Sequence, residues 1–371
     1  MADPNARVHA VLEELVAEGP EIGLQVAAYQ NGKLVVDTWA GLADPATGRR
    51  VDRDTLFMLS STTKGVTATC AHVLADKGKL DYDRPVAYYW PEFGAHGKDR
   101  VTVRDVLAQR SGIPQTPVGY TPDWLTDWDR MCRGIAHLTP MFEPSNRTAY
   151  ASLTFGHMVG EVIRRIDGRP IGKFLQEEIA RPLGADVYLG VPDEALPRVA
   201  VLTDGPPAPA DYDARMVGEP AGSQVARVFN QRAIQQSAIP GSGGIMSARG
   251  LARLYAMLAN GGELDGVRIL SPERIALATE IQSFEWDEVY HVRVRRALGY
   301  RRERDCGPGA GKSAFGHVGG GGSFGYADPE HHFAIGFAKN YFTYNTGGGG
   351  PPQRRAGQAV AEAVIAALGG W

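Results

Sequence analysis

The chain has 371 residues, 43% of them apolar, and a net charge of -3 from nearly balanced basic and acidic residues. That length exceeds what one core commonly carries, so two packed regions are expected. The balance offers no long-range pull toward nucleic acid or an anionic membrane, and no stretch approaches the ~20 apolar residues of a membrane span.

The opening Met-Ala-Asp-Pro-Asn-Ala-Arg leads into an amphipathic run with Val8, Leu12 and Leu15 on one face, not into an apolar signal core. Three cysteines, Cys70, Cys132 and Cys306, are few and odd in number, as expected in a reducing compartment; a cytoplasmic protein without disulfides is the default. Gly23 to Gln30 and Lys33 to Gly41 are strand-like and flank Asn31-Gly32, a type I′ hairpin signal.

Ser61 and Lys64 follow, in Phe57-Met-Leu-Ser-Ser-Thr-Thr-Lys-Gly65, before a segment to Lys77 with apolar Val66, Cys70, Val73 and Leu74. That spacing predicts a helix opening near Ser61, so residues three apart share a face. A serine hydroxyl is a poor nucleophile, and a lysine amine can be its base only where desolvation or a neighbouring cation lowers its pKa. Alone, Ser-x-x-Lys also fits a capping serine and a solvated lysine. It occurs once in this chain, however, and two further motifs follow it.

The second is Tyr150-Ala-Ser152, just before a helix expected from Leu153 to Ile166; the third is His317-Val-Gly319, in a glycine-rich strand. With these in place the chain resembles the serine β-lactamase and penicillin-binding protein superfamily, which carries Ser-x-x-Lys, Tyr/Ser-x-Asn and Lys-Thr-Gly. Within it the chain is most similar to the class C β-lactamase-like branch, in particular the family VIII carboxylesterases. Asp105-Val-Leu-Ala-Gln-Arg-Ser-Gly-Ile-Pro114, Gly243-Gly-Ile-Met-Ser-Ala-Arg-Gly-Leu-Ala252 and Leu258-Ala-Asn-Gly-Gly262 extend the resemblance.

The resemblance implies a serine carboxylesterase acting through an acyl-enzyme on Ser61, with Lys64 and Tyr150 as a coupled base and acid. The backbone N–H groups of Ser61 and Gly320 would form the oxyanion hole, and Ser152, His317 and Gly319 would contact a small-molecule ester. Ser152 stands where the β-lactamases usually carry Asn. His317 replaces the lysine of Lys-Thr-Gly, exchanging a permanent cation for a residue mostly neutral at pH 7, which points to neutral esters. Other activities within this reading are acyl transfer to a natural-product alcohol, amide or D-peptide hydrolysis and weak β-lactam cleavage; outside it stands a binding or sensing protein without turnover.

Each assignment has a structural counterpart. Tyr150 could be a core tyrosine, His317 a strand histidine satisfied by a backbone carbonyl, and Gly319 to Gly322 glycines because a neighbour packs close. Tyr120, Trp124 and Trp128 could line the acyl pocket or simply pack near the surface. Gly321-Gly-Ser-Phe-Gly325 matches the Gly-x-Ser-x-Gly nucleophile elbow, but that motif needs a strand-to-helix turn with Asp and His following. The short remainder holds Asp328, His331 and His332 directly before an apolar strand, so Ser323 reads as a strand-edge residue. No metal is expected, because His331 and His332 lack acidic or cysteine company at ligand spacing, and the reading calls for no cofactor.

From Thr62 to about Arg274 the pattern is mostly helical, with a surface loop at Asp204 to Ala210. Strands are expected at Ala297 to Arg302, Gly322 to Ala327 and Phe333 to Lys339, with Arg293, Arg295, Arg296, Arg301 and Arg302 on a half-exposed strand face. A mobile loop is expected at Tyr344 to Pro352, then a last helix near Gln353 to Leu368. This order predicts an α+β fold: one antiparallel sheet built by both chain ends (1–61 and 290–371), flanked by the terminal helices, and a mostly helical region (62–289) with the site at the seam.

Overall fold

A computed structural model describes residues 3–206, 225–343 and 354–370. The loop expected at Tyr344 to Pro352, and most of the one at Asp204 to Ala210, lie outside the described residues.

A helix at Pro4–Glu18 (α1), started by Asp3 and Pro4, leads into strands Gly23–Gln30 (β1), Lys33–Asp44 (β2) and Arg49–Arg50 (β3). Asn31 and Gly32 both take positive φ, 50° and 72°, which is the type I′ turn their sequence requires. The helical middle contains Thr63–Asp76 (α2), Thr154–Asp167 (α3) and Ala248–Ala259 (α4). The remaining strands of the main sheet are Ser283–Trp286 (β4), Arg293–Arg296 (β5), Arg301–Arg302 (β6), Phe315–Val318 (β7), Phe324–Asp328 (β8) and Phe333–Lys339 (β9). The helix Arg354–Ala367 (α5) ends the fold.

The nine strands form one sheet in the order β4-β5-β6-β7-β8-β9-β1-β2-β3, with every neighbouring pair antiparallel. Strand β1 is central because β9, from the far end of the chain, pairs with it from Leu24 opposite Lys339 to Gln30 opposite Phe333. The sheet thus begins at Ser283 in the second half of the chain, slightly ahead of the boundary expected at residue 290.

Strand alternation sorts the two faces. On β9, Phe333, Ile335 and Phe337 pack with Val8 and Leu12 of α1 and Val360 and Val364 of α5. Each such buried side chain is worth about 1.5–3 kcal/mol. The alternate residues are small, Ala334, Gly336 and Ala338, because α4 lies directly on them: a Cβ on Gly336 would sit 2.5 Å from the Ala248 carbonyl oxygen. Among the described residues, no helix is long and apolar enough to cross a membrane.

One predicted strand divides differently. Ala297 to Arg302 is not continuous; a buried turn through Gly299, at φ 81°, separates β5 from β6. The turn presses on α2 so closely that a Cβ on Gly299 would lie 2.2 Å from the Ala68 Cβ. Arg296 is buried in consequence, not half-exposed, and pairs with a buried Asp287.

Candidate active site

Ser61 sits in a single tight turn, Ser60–Thr62, that feeds directly into α2. Ser60 takes φ 44°, a left-handed conformation that costs a non-glycine residue about 1–2 kcal/mol and is held here by its surroundings. On one side, Thr63 Oγ1 donates to Ser60 O and accepts from Gly244 N at 2.9 Å, while Leu59 N donates to Gly244 O at 3.0 Å. On the other, Ser323 Oγ donates to Leu59 O at 3.0 Å and lies 3.1 Å from Thr62 Oγ1. Ser323 is therefore buried between a short turn and β8, where it braces the Ser60–Thr62 turn. It does not form a strand-to-helix elbow.

Lys64 is fully buried one helical step from Ser61. Its Nζ lies 2.7 Å from Ser152 O, 2.7 Å from Gly241 O and 3.3 Å from Ser61 Oγ. The two carbonyls converge because α3 crosses the 240–241 segment at Gly156, where a Cβ would stand 2.0 Å from Gly241 N. Carbonyl oxygens only accept, so a neutral amine would give both N–H bonds to Ser152 and Gly241 and turn its lone pair toward Ser61 Oγ.

Tyr150, also fully buried, lies with its ring 4.6 Å from Lys64 Nζ. Two more cations face that ring: the guanidinium carbons of Arg296 at 5.5 Å and Arg301 at 5.7 Å. The backbone on either side of Tyr150 is clamped: Ala149 N donates to Gln109 O at 2.9 Å, Ala151 N to Gln109 Oε1 at 2.7 Å, and Tyr150 N to Asp287 Oδ1 at 3.4 Å. Asp287 and Gln109 had no marking in the sequence as site residues, although Gln109 falls inside one of the resembling segments. Tyr290 packs on the Tyr150 ring at 4.7 Å and completes its enclosure.

A cavity of about 620 Å³ opens onto Ser61 and Tyr150 and is lined further by Gly319, Gly320, Val318, Phe342, Arg293 and Arg301, among others. Ser61 and Gly320, the two expected oxyanion donors, both line this cavity. Ser152 and His317 are buried and are not among that lining. Ser152 contributes its carbonyl to Lys64. His317, on the same face of β7 as Phe315, donates Nδ1–H to Val318 O at 2.6 Å. Burial, then the charges of Arg301 and Lys64, hold its pKa well below the usual histidine range, so it is neutral.

Gly319 is glycine because of close packing, since a Cβ there would meet Leu59 O and Ser323 Oγ, both at 2.4 Å. Tyr120, Trp124 and Trp128 also lie outside the cavity lining. Trp128 donates Nε1–H to Glu161 Oε2 at 2.8 Å and stacks on His157, an arrangement of the helical region's interior.

This architecture has known counterparts. A family model described as Beta-lactamase matches residues 8–363. The chain is 37% identical over 338 residues to the Esterase/beta-lactamase LipL of Mycobacterium tuberculosis, covering 86% of this chain and 77% of that protein. It is 30% identical over 281 residues to Esterase EstB of Burkholderia gladioli, covering 70% and 71%. The crystal structure of a family VIII carboxylesterase matches at a TM-score of 0.89 and 36% identity over 98% of both chains. With nearly the whole chain inside the family model and relatives of this identity, the conclusion is direct: the chain belongs to the β-lactamase family.

Proposed function

We propose that this protein is a serine carboxylesterase that forms its acyl-enzyme on Ser61. The observation that carries the reading is the set of three neighbours around Lys64 Nζ, two carbonyls and the Ser61 hydroxyl. Lys64 and Tyr150 share the proton of Ser61 as one coupled unit. As Ser61 Oγ bonds to the ester carbonyl carbon, that proton enters the pair and the carbonyl oxygen becomes an oxyanion facing the N–H groups of Ser61 and Gly320. The carbon–oxygen bond to the alcohol then breaks, and Tyr150 returns the proton to the leaving oxygen. Water repeats the sequence on the acyl-enzyme and releases the acid.

The names of LipL, EstB and the family VIII carboxylesterase support ester substrates. The neutral, buried His317 supports them too, since the third motif offers no cation to a β-lactam carboxylate.

The test is hydrolysis of p-nitrophenyl esters from acetate to decanoate by wild type, Ser61→Ala and Ser323→Ala, with the chromogenic β-lactam nitrocefin alongside. Turnover lost in Ser61→Ala and largely kept in Ser323→Ala is the expected result. No ester turnover by wild type, or loss in Ser323→Ala alone, overturns the assignment.

A further inference from the structure

Beyond Lys339 the chain leaves the main sheet as a short strand, Tyr341–Phe342, that pairs in parallel with Thr203–Asp204. Thr203 N donates to Asn340 O at 2.8 Å, and Gly205 N donates to Phe342 O at 2.7 Å. On its other side, Thr343 O accepts from Gly321 N at 3.0 Å. The Phe342 ring lies so close to this glycine backbone that a Cβ on Gly320 or Gly321 would stand 3.1 Å or 3.2 Å from it. Gly320, Phe342 and Thr343 all line the cavity that opens onto Ser61.

Gly319 to Gly322 are four consecutive glycines with little conformational preference of their own, and Gly321 and Gly322 take φ 82° and 100°. The direction of the Gly320 N–H is therefore imposed from outside the run. Ser323 holds one end of it, and residues 341–343 support its flank.

Asn340 fixes that flank. It is 1% exposed, and its Nδ2 lies 3.0 Å from Leu42 O and 3.3 Å from Ala43 O in β2, and 3.1 Å from Val201 O in the helical middle of the chain. Carbonyl oxygens only accept, so the amide nitrogen has to face them. Its Oδ1 is left shielded from solvent with no donor among the described residues, a cost the fold carries to keep the nitrogen in place. One side chain thus ties the end of β2 and the 201–205 segment to the strand that supports Gly320 and Gly321.

We propose that Asn340 is a positioning residue for ester hydrolysis: by anchoring residues 341–343 it holds Phe342 and Thr343 against Gly320 and Gly321, and so aims the Gly320 N–H at the developing oxyanion. This deepens the esterase reading and rests on the oxyanion role proposed there for Gly320. Asn340 is not among the cavity lining and acts only through its neighbours. Its loss weakens the hold on the transition state more than the hold on the bound ester.

The experiment compares 4-nitrophenyl acetate with its thionoester, in which sulfur replaces only the carbonyl oxygen and accepts hydrogen bonds weakly. The proteins are wild type, Asn340→Ala, Asn340→Asp, Phe342→Ala and Lys98→Met. The readout is the ratio of kcat/KM for the oxoester over the thionoester. It follows the oxyanion contacts and is blind to a loss of active enzyme, because both rates then fall together. Lys98 is the control for a buried clamp elsewhere: it is fully buried and donates to the carbonyls of Ala95, Ala136 and Leu138, none of which lines the cavity.

In Asn340→Ala, kcat/KM for the oxoester is expected to fall about tenfold to a hundredfold, and the ratio to fall with it. Asn340→Asp keeps the shape but sets an oxygen against three carbonyls, and is expected to fall at least as far. Lys98→Met is expected to lower the melting temperature and keep the wild-type ratio. Where the Asn340 variants do not fold, Phe342→Ala carries the test, because it removes the ring that Asn340 holds against Gly320 and is expected to lower the ratio too. A wild-type ratio in a folded, Ser61-dependent Asn340 variant, or in Phe342→Ala, overturns this proposal and leaves the esterase reading standing. An equal fall in Lys98→Met makes the effect one of general stability and overturns it as well. Absence of Ser61-dependent turnover on both esters overturns the parent reading and this one with it.

Discussion

Arg296 and Asp287 form a buried ion pair that holds Tyr150 from two directions, with Asp287 accepting from its backbone N–H and Arg296 facing its ring. The same carboxylate also accepts from Val289 N and Tyr290 N, both at 2.9 Å, so one acid fixes the connection between β4 and β5 and the loop carrying Tyr150. Removing it in Asp287→Ala leaves a buried guanidinium uncompensated. The expected loss is about 3–5 kcal/mol in urea unfolding, and Asp287→Leu combined with Arg296→Met is expected to recover much of it. Equal loss in the single and double variants would show that the pair's charge is not what matters.

Lys64→Ala and Tyr150→Phe are each expected to lower kcat by about 10²–10⁴. On the proposed reading, in which the two share one proton, the double variant is expected to be little worse than the poorer single one. Fully additive losses in single-turnover measurements would mean the two act separately.

Gly156→Ala touches neither Ser61 nor Lys64, yet its new Cβ would collide with backbone at Gly241, 2.0 Å away, and at the Pro240 carbonyl carbon, 2.3 Å away. The Gly241 carbonyl would move off Lys64, so both the melting temperature and kcat are expected to fall. Ser152→Ala, by contrast, keeps the carbonyl that Lys64 uses and is expected to stay within about tenfold of wild-type kcat. A collapse of kcat in Ser152→Ala would return the hydroxyl to the site.

Acid stability follows from buried histidines. Burial lowers the pKa of His157 to about 4 and that of His72 to about 3, below the unfolded value near 6.5. Below pH 6.5 the unfolded chain takes up protons that the folded one refuses, so stability is complete above that pH and drains away as pH falls toward 4. Each such histidine steepens the loss by about 1.4 kcal/mol per pH unit. His157→Gln is expected to make the fall in urea midpoint between pH 6 and 4.5 shallower, and an unchanged slope would contradict the assignment.

The strongly patterned parts of the fold were legible in the sequence. Asn31-Gly32 fixed its hairpin turn, and Phe333 to Lys339 is a strand at the expected residues, because local backbone preference and alternation agree there. The turn at Gly299 was not legible, since a single glycine between Leu298 and Tyr300 marks it in the sequence and only contact with Ala68 of α2 shows the break. Ser61, Lys64 and Tyr150 could be picked out because short motifs carry them, and the structure brings them together. Asp287, Gln109 and Arg301 could not, because their importance lies in what they face across the fold. His317 and Ser152 show the opposite limit: motif position marks where a residue sits on its strand or loop, while burial decides whether side chain or backbone is used.

The pairing of β1 with β9 has a consequence for how the protein is made. Ser61 and Lys64 are synthesised early, but their turn is braced by Ser323 and walled by Gly319 and Gly320, while the strand that seats β8 against β1 ends at Lys339. Closing so long a loop of chain precedes any reward from the contacts it brings, which slows folding and leaves sheet edges open meanwhile. A nascent chain released before β9 would carry Ser61 without the cavity wall that Gly319 and Gly320 supply. Catalytic competence would then arrive in one late step, with the docking of the last strand, and the recovery of esterase turnover during refolding would report directly on that event.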